Sequence, residues 1–149
     1  EKKLLEDVWK LRGALVKAVE AESEQEPVDI VVPINKTAEF IEFVNELEKD
    51  SGMQMVSFGH AGDGNVHLCV IRGNRTQEEW EEEKNKNLSS IYQKAYRLGG
   101  LTSGEHGIGL SKKKYFLEET DTLNIQLMRG IKEVFDTKKI LNSHKSYNL

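Results

Sequence analysis

Cysteine is nearly absent: Cys69 is the only one among 149 residues. No intrachain disulfide can form and no thiolate cluster can hold a metal, which points to a reducing compartment, and the cytoplasm is the expected location. No run approaches the ~20 apolar residues of a membrane span, and no secretory signal peptide is visible. Basic excess is lacking as well. With 21 Lys+Arg against 25 Asp+Glu the formal charge is −4, so no global basic field would recruit nucleic acid. The one basic run, Lys112-Lys113-Lys114, reads as a solvated turn. Internal repeats, low-complexity segments and an interdomain linker are missing too. What remains has the size of one globular domain with a sizeable core. The chain begins at Glu1 and runs at once into an amphipathic pattern, as a fragment or processed product would.

Leu4, Leu5, Val8, Trp9, Leu11, Leu15, Val16 and Val19 recur at helical spacing, which predicts a helix over 3–22 stopped by Pro27. Val28 to Val32 is short and β-branched between Pro27 and Pro33, and reads as a strand. Asn35 or Thr37 opens a second helix over 36–50, with Phe40, Ile41, Val44 and Leu47 towards the core. Residues 54–60 and 65–71 are two strands around a turn of Gly62, Asp63, Gly64 and Asn65. Thr76 and Glu79 have capping-box spacing and start a helix to Leu98, with Trp80, Leu88, Ile91, Tyr92 and Ala95 inward and Gly99-Gly100 as the stop. After a loop, a last helix over 121–135 is expected to bury Leu123, Leu127, Met128, Ile131, Val134 and Phe135, and the tail from Ile140 is irregular. Strands joined by a tight turn are antiparallel, so the expected class is α+β, helices on one face of an antiparallel sheet followed by a helical segment.

Three of the four histidines lie in two glycine-rich signatures, Gly59-His60-Ala61-Gly62-Asp63-Gly64-Asn65-Val66-His67 and Ser103-Gly104-Glu105-His106-Gly107-Ile108-Gly109. If the turn is Gly62 to Asn65, Ala61 faces Val66 and His60 faces His67, with Cβ atoms ~4.5–5.5 Å apart on one face of the sheet. Two imidazoles so placed reach one metal, and Glu105 supplies a carboxylate that leaves coordination positions open. Such a set suits Zn²⁺ most readily, and also Mn²⁺ or Fe²⁺. His106 is too close in sequence to share the direction of Glu105 and suits a general base. The bland reading stands beside this one: a histidine near a glycine turn is also a common hydrogen-bonded surface residue. Asp63 reads as a turn former rather than a ligand. A dinucleotide fingerprint is rejected, because a strand and not a helix follows the glycines. His144, in the tail, reads as incidental.

Together the two signatures and Ile140-Leu141-Asn142 resemble the C-terminal part of the FAD-linked 2-hydroxyacid oxidoreductases. These are the branch of the vanillyl-alcohol-oxidase-type flavoproteins that includes the glycolate oxidase D subunit, D-lactate dehydrogenase and D-2-hydroxyglutarate dehydrogenase. The resemblance spans nearly the whole chain. It implies an FAD-binding domain upstream and a ferredoxin-like cap over the flavin, of which this chain is the later part with the C-terminal segment. It implies that His60, His67 and Glu105 are metal ligands, that His106 is the base, and that Arg12 in Trp9-x-x-Arg12 holds the substrate carboxylate. Asn142 would stand at the cofactor.

The implied reaction is oxidation of a small 2-hydroxy acid to a 2-oxo acid, with FAD and a divalent metal as cofactors. An electron-transfer flavoprotein or an iron–sulfur subunit is an implied partner, and a lone 149-residue piece would be inactive. Two departures favour lactate or glycolate. The hydroxyglutarate enzymes carry asparagine where this chain has Cys69, and lysine where Pro27 stands. The tail reads Asn142-Ser143-His144-Lys145 where the family often has Asn-Pro-Gly-Lys. The rivals are a stand-alone metal-dependent hydrolase and a non-catalytic metal-binding module.

Overall fold

Alternation of apolar and polar residues in three short segments builds the sheet. In the computed structural model, which describes residues 2–21, 23–60 and 62–146 apart from the side chains of Val16 and Glu20, these segments are β1 (Gln25–Val31), β2 (Met55–His60) and β3 (Asn65–Ile71). They form an antiparallel sheet in the order β1-β3-β2. The expected positions of the Val16 side chain and of Ala61 lie outside the described residues.

Successive side chains of a strand point to opposite faces. Val28 and Ile30, Met55, and Val66, Leu68 and Val70 therefore share one face, and all six are buried. Asp29, Phe58, His60 and His67 share the other. Two helices, α2 (Thr37–Ser51) and α3 (Gln77–Arg97), cover the first face. Phe40 and Val44 of α2 and Trp80, Leu88, Ile91, Tyr92 and Ala95 of α3 join the sheet residues in a single core. This is the α+β arrangement the sequence pattern predicts. The capping box at Thr76 is also present: Thr76 Oγ1 accepts from the Glu79 N–H, and the Glu79 carboxylate accepts from the Thr76 N–H.

Pro27 does not precede β1 but lies within it. The Arg72 N–H donates to Glu24 O and the Val32 N–H to Gly64 O, which puts the even-numbered residues of β1 in the hydrogen-bonded pairs with β3 and turns odd positions outward. Pro27, which has no N–H, thus loses no ladder bond on this edge strand. At Val31 the same outward side exchanges both backbone hydrogen bonds with Leu101, and that bridge leads directly into the second histidine signature.

Three expectations need correction. First, Lys112-Lys113-Lys114 is no solvated turn. Lys112 is buried, and Lys113 opens a short helix, α4 (Lys113–Glu119), whose Tyr115 stacks on Tyr92 with ring centroids 4.4 Å apart. Seven residues are too few to show a helical period. Second, in the last helix, α5 (Thr122–Phe135), the buried residue is Ile125, while Leu123, Leu127, Ile131, Val134 and Phe135 are exposed and Met128 is half-buried. Third, the first helix, α1 (Lys2–Glu20), leaves Leu4, Leu5, Val8, Trp9, Leu11 and Leu15 exposed. A period marks an apolar face but does not supply what covers it, and α2 and α3 already fill the core side of the sheet. No helix among the described residues is long and apolar enough to cross a membrane.

Candidate metal centre

The hairpin between β2 and β3 places the first signature. Asp63 Oδ1 accepts the Asn65 N–H at 3.0 Å, the turn-forming role expected for it. Gly64 has φ +77°, and a Cβ there would run into the Val32 carbonyl oxygen. The register differs from the expectation: His60 pairs with Asn65 and Phe58 with His67. The reason is that Asn65 stays in the strand while Asp63 and Gly64 close the turn. A shift of two residues preserves the face. His60 and His67 are therefore diagonal neighbours on the same side, their ring centroids 5.4 Å apart and their planes at 78°.

The second signature crosses this face after the Leu101 bridge. Glu105 Oε1 lies 3.4 Å from His60 Nε2 and 3.3 Å from His67 Nε2. The His106 ring stacks on His67 with centroids 5.1 Å apart, its Nε2 4.0 Å from Glu105 Oε1. Close approach of this loop to the hairpin depends on Gly104, since a Cβ there would come within 2.6 Å of the Asn65 side chain. His60, His67, Glu105 and His106 are thus brought together. Metal bonds of about 2.0–2.1 Å at a tetrahedral angle set neighbouring ligand atoms about 3.3 Å apart. The two imidazole–carboxylate separations match that edge length. His67 is 12% exposed, whereas His60 and Glu105 are 43% and 53% exposed, so the trio has a closed side and an open one.

Asp29, which the sequence reading passed over, holds the arrangement together. It is fully buried beside His67 on the same face. Its Oδ2 accepts from Ser103 Oγ (2.8 Å) and from the backbone N–H groups of Gly104 (3.0 Å), Glu105 (3.0 Å) and His106 (2.9 Å). Lys112 Nζ adds a contact at 3.4 Å. Burial pushes the Asp29 carboxyl up, but the hydrogen bonds from His106, Ser103 and Glu105 and the Lys112 charge outweigh it and hold it well below the usual carboxylate range. Burial likewise lowers Lys112, and the facing Asp29 offsets only part of that. A signal for Asp29 was present: an acid inside the β-branched run Val28 to Val32 must be paired if it is buried.

Asp29, His67 and His106 form a second convergent trio, with ligand atoms within 4.8 Å of one another as in the first. The first set suits a cation better, because Glu105 Oε1 faces both imidazoles from the open side of the site, whereas Asp29 is fully buried and tied through Oδ2 to the loop at residues 103–106. Arg12 is not brought to the histidines. It sits exposed on α1, its guanidinium carbon 5.5 Å from the Trp9 ring centroid. Asn142, with φ +46°, lies in the tail and lines an open cavity of about 450 Å³ with His106, Lys132 and Lys145. His144 is not idle: its carbonyl accepts from Lys113 Nζ at 2.9 Å.

Residues 1–146 match the family described as FAD linked oxidases, C-terminal domain. The chain belongs to that family. It is 41% identical over 143 residues to a D-lactate dehydrogenase of Anaerostipes hadrus, covering 95% of this chain and 30% of that protein. A D-lactate dehydrogenase of Archaeoglobus fulgidus is 40% identical over 144 residues, covering 97% of this chain and 31% of that protein. The glycolate oxidase subunit GlcD of Bacillus subtilis is 31% identical over 146 residues, covering 95% and 31%. The chain thus spans less than a third of the length of these relatives. As a member of this family it is a C-terminal domain of FAD-linked oxidoreductases.

Proposed function

We propose that this chain is the substrate- and metal-binding part of an FAD-dependent dehydrogenase or oxidase that converts a small 2-hydroxy acid to a 2-oxo acid. The observation that carries the reading is the convergence of His60 Nε2 and His67 Nε2 on one carboxylate oxygen of Glu105, at 3.4 and 3.3 Å. The donor set fits Zn²⁺ first, then Mn²⁺ or Fe²⁺. A divalent ion held there supplies an electrophile that acidifies the substrate hydroxyl, and FAD, bound mainly by the remainder of the protein, supplies the electron acceptor.

The chain's own residues do the rest. His106, stacked on His67 at the rim of the cavity shared with Asn142, receives the hydroxyl proton at its imidazole nitrogen. His67 and Glu105 fix where the hydroxyl is held. For the substrate carboxylate the Trp9-x-x-Arg12 resemblance alone nominates Arg12, by charge-assisted hydrogen bonds, although Arg12 stands exposed on α1 and away from the histidines. A monocarboxylate such as D-lactate or glycolate is favoured by one local feature. Pro27 and Cys69 stand opposite each other across β1 and β3, Cys69 on the face that carries His67. Neither offers a cation or an amide to a second carboxylate.

The stand-alone hydrolase and the non-catalytic module have no observation in their favour once the family is known. The test uses the full-length protein, assayed against D- and L-2-hydroxy acids with an artificial electron acceptor before and after chelation. Chelator-sensitive flavin reduction by a D-2-hydroxy acid is expected. Reduction that ignores the chelator would contradict the metal role, and no reduction by any member of the panel would contradict the substrate class.

A further inference from the structure

The two carboxylate oxygens of Asp29 are used unequally. Oδ2 accepts from Ser103, from three consecutive backbone N–H groups and from Lys112. Oδ1 is buried, has no hydrogen-bond partner among the described residues, and lies 3.7 Å from His67 Nδ1. An imidazole that gives one nitrogen to a cation needs an acceptor for the N–H on the other, and that acceptor fixes tautomer and ring orientation. Building on the metal reading above, we infer that Asp29 is the positioning residue of this centre. Its Oδ2 sets the backbone that presents Glu105 and His106, and its Oδ1 receives the Nδ1–H of His67 so that Nε2 keeps its lone pair for a divalent cation.

The geometry favours this direction. A separation of 3.7 Å exceeds a formed N–H···O bond of about 2.7–3.2 Å, and a small rotation of the His67 ring closes it. The opposite tautomer would set a bare ring nitrogen against a bare buried oxygen. One carboxylate then ties both halves of the site, the hairpin through His67 and the loop through residues 103–106.

Asp29→Asn separates positioning from mere support. The amide oxygen must take the Oδ2 place, because several donors converge there, so the amide N–H₂ turns to His67 Nδ1. It donates to that nitrogen and moves the imidazole proton to Nε2, where it blocks ligation. In the full-length protein, Co(II) binding read from its visible absorption band should weaken about 10–100-fold while far-UV circular dichroism stays native. The Asp29→Asn/His67→Ala double variant should bind no more weakly than His67→Ala. Wild-type Co(II) affinity in Asp29→Asn, or additive loss in the double variant, would overturn the inference.

If Asp29→Asn does not fold, ring ¹⁵N spectra of the metal-free wild type, assigned with His67→Ala, decide. An Nδ1–H tautomer at His67 is expected, and a dominant Nε2–H tautomer would overturn the assignment. Glu105→Gln tells the two levels apart. Loss of Co(II) there without loss in Asp29→Asn overturns only the Asp29 role. Unchanged Co(II) affinity in Glu105→Gln removes the metal reading and the inference with it.

Discussion

His67 does more in this site than any other side chain, because it touches every other member: Glu105 through Nε2, Asp29 through Nδ1, His60 and His106 through its ring. Removing it should abolish tight metal binding, whereas removing His106 should not. His106→Gln is expected to lower kcat by about 10²–10⁴-fold with metal content unchanged, checked by steady-state kinetics and elemental analysis of the same full-length sample. Equal loss of metal in His106→Gln would place that residue among the ligands. As candidates, His60, His67, Glu105 and His106 were legible in the sequence because glycines frame them and few residue types bind metals. Asp29 was not. Its meaning depends on which face of β1 turns to the loop at residues 103–106, and on a lysine that looked like part of a surface run. Arg12 shows the converse, a residue with a role by resemblance that sits exposed on α1 beside Trp9.

At the scale of elements, the hairpin and the α5 cap invite separate tests. Gly64→Ala forces a side chain into a left-handed backbone and against the Val32 carbonyl. It should destabilise the protein by more than about 1 kcal/mol, read as a lower midpoint in chemical unfolding. Asp136, at the end of α5, accepts from Lys132 Nζ and from the Ile140 and Leu141 N–H groups. The Lys132 hydrogen bond is the leading cause that holds its carboxyl below the ordinary value. A depressed carboxyl contributes stability that is complete above its unfolded value, about pH 4, and is lost as pH falls through the folded one. The Tm gap between wild type and Asp136→Asn should therefore be widest near neutrality and close in acid. A gap that grows on acidification would contradict the assignment.

The long elements were readable because a helical period runs through α2 and α3, and α3 adds a capping box and a glycine stop; α2 starts after Lys36 with no side-chain cap. The short α4 left no period to read. The hairpin's face was predicted correctly and its register was not, since parity survives a two-residue shift while the pairing depends on where Asp63 closes the turn.

Across the whole molecule, the two faces of the sheet differ: one closes over α2 and α3, and the other carries the cluster of Asp29, His60, His67 and Glu105. The apolar faces of α1 and α5 remain open to solvent, more exposed hydrophobic surface than a self-sufficient domain usually shows. The 149-residue chain expressed alone should bind a hydrophobic dye more strongly than the full-length protein per mole, and should turn over no hydroxy acid even with added FAD. Weak dye binding, or turnover by the isolated chain, would contradict this. The sequence revealed amphipathic stripes on both helices but not that they would stay uncovered, because a stripe carries no information about its partner. Whether His60, His67 and Glu105 close on one cation is decided by an anomalous-difference map of full-length crystals soaked in Zn²⁺. A peak bounded by His60 Nε2, His67 Nε2 and a Glu105 carboxylate oxygen is predicted. A peak enclosed instead by Asp29, His67 and His106, or no peak on this face of the sheet, would contradict it.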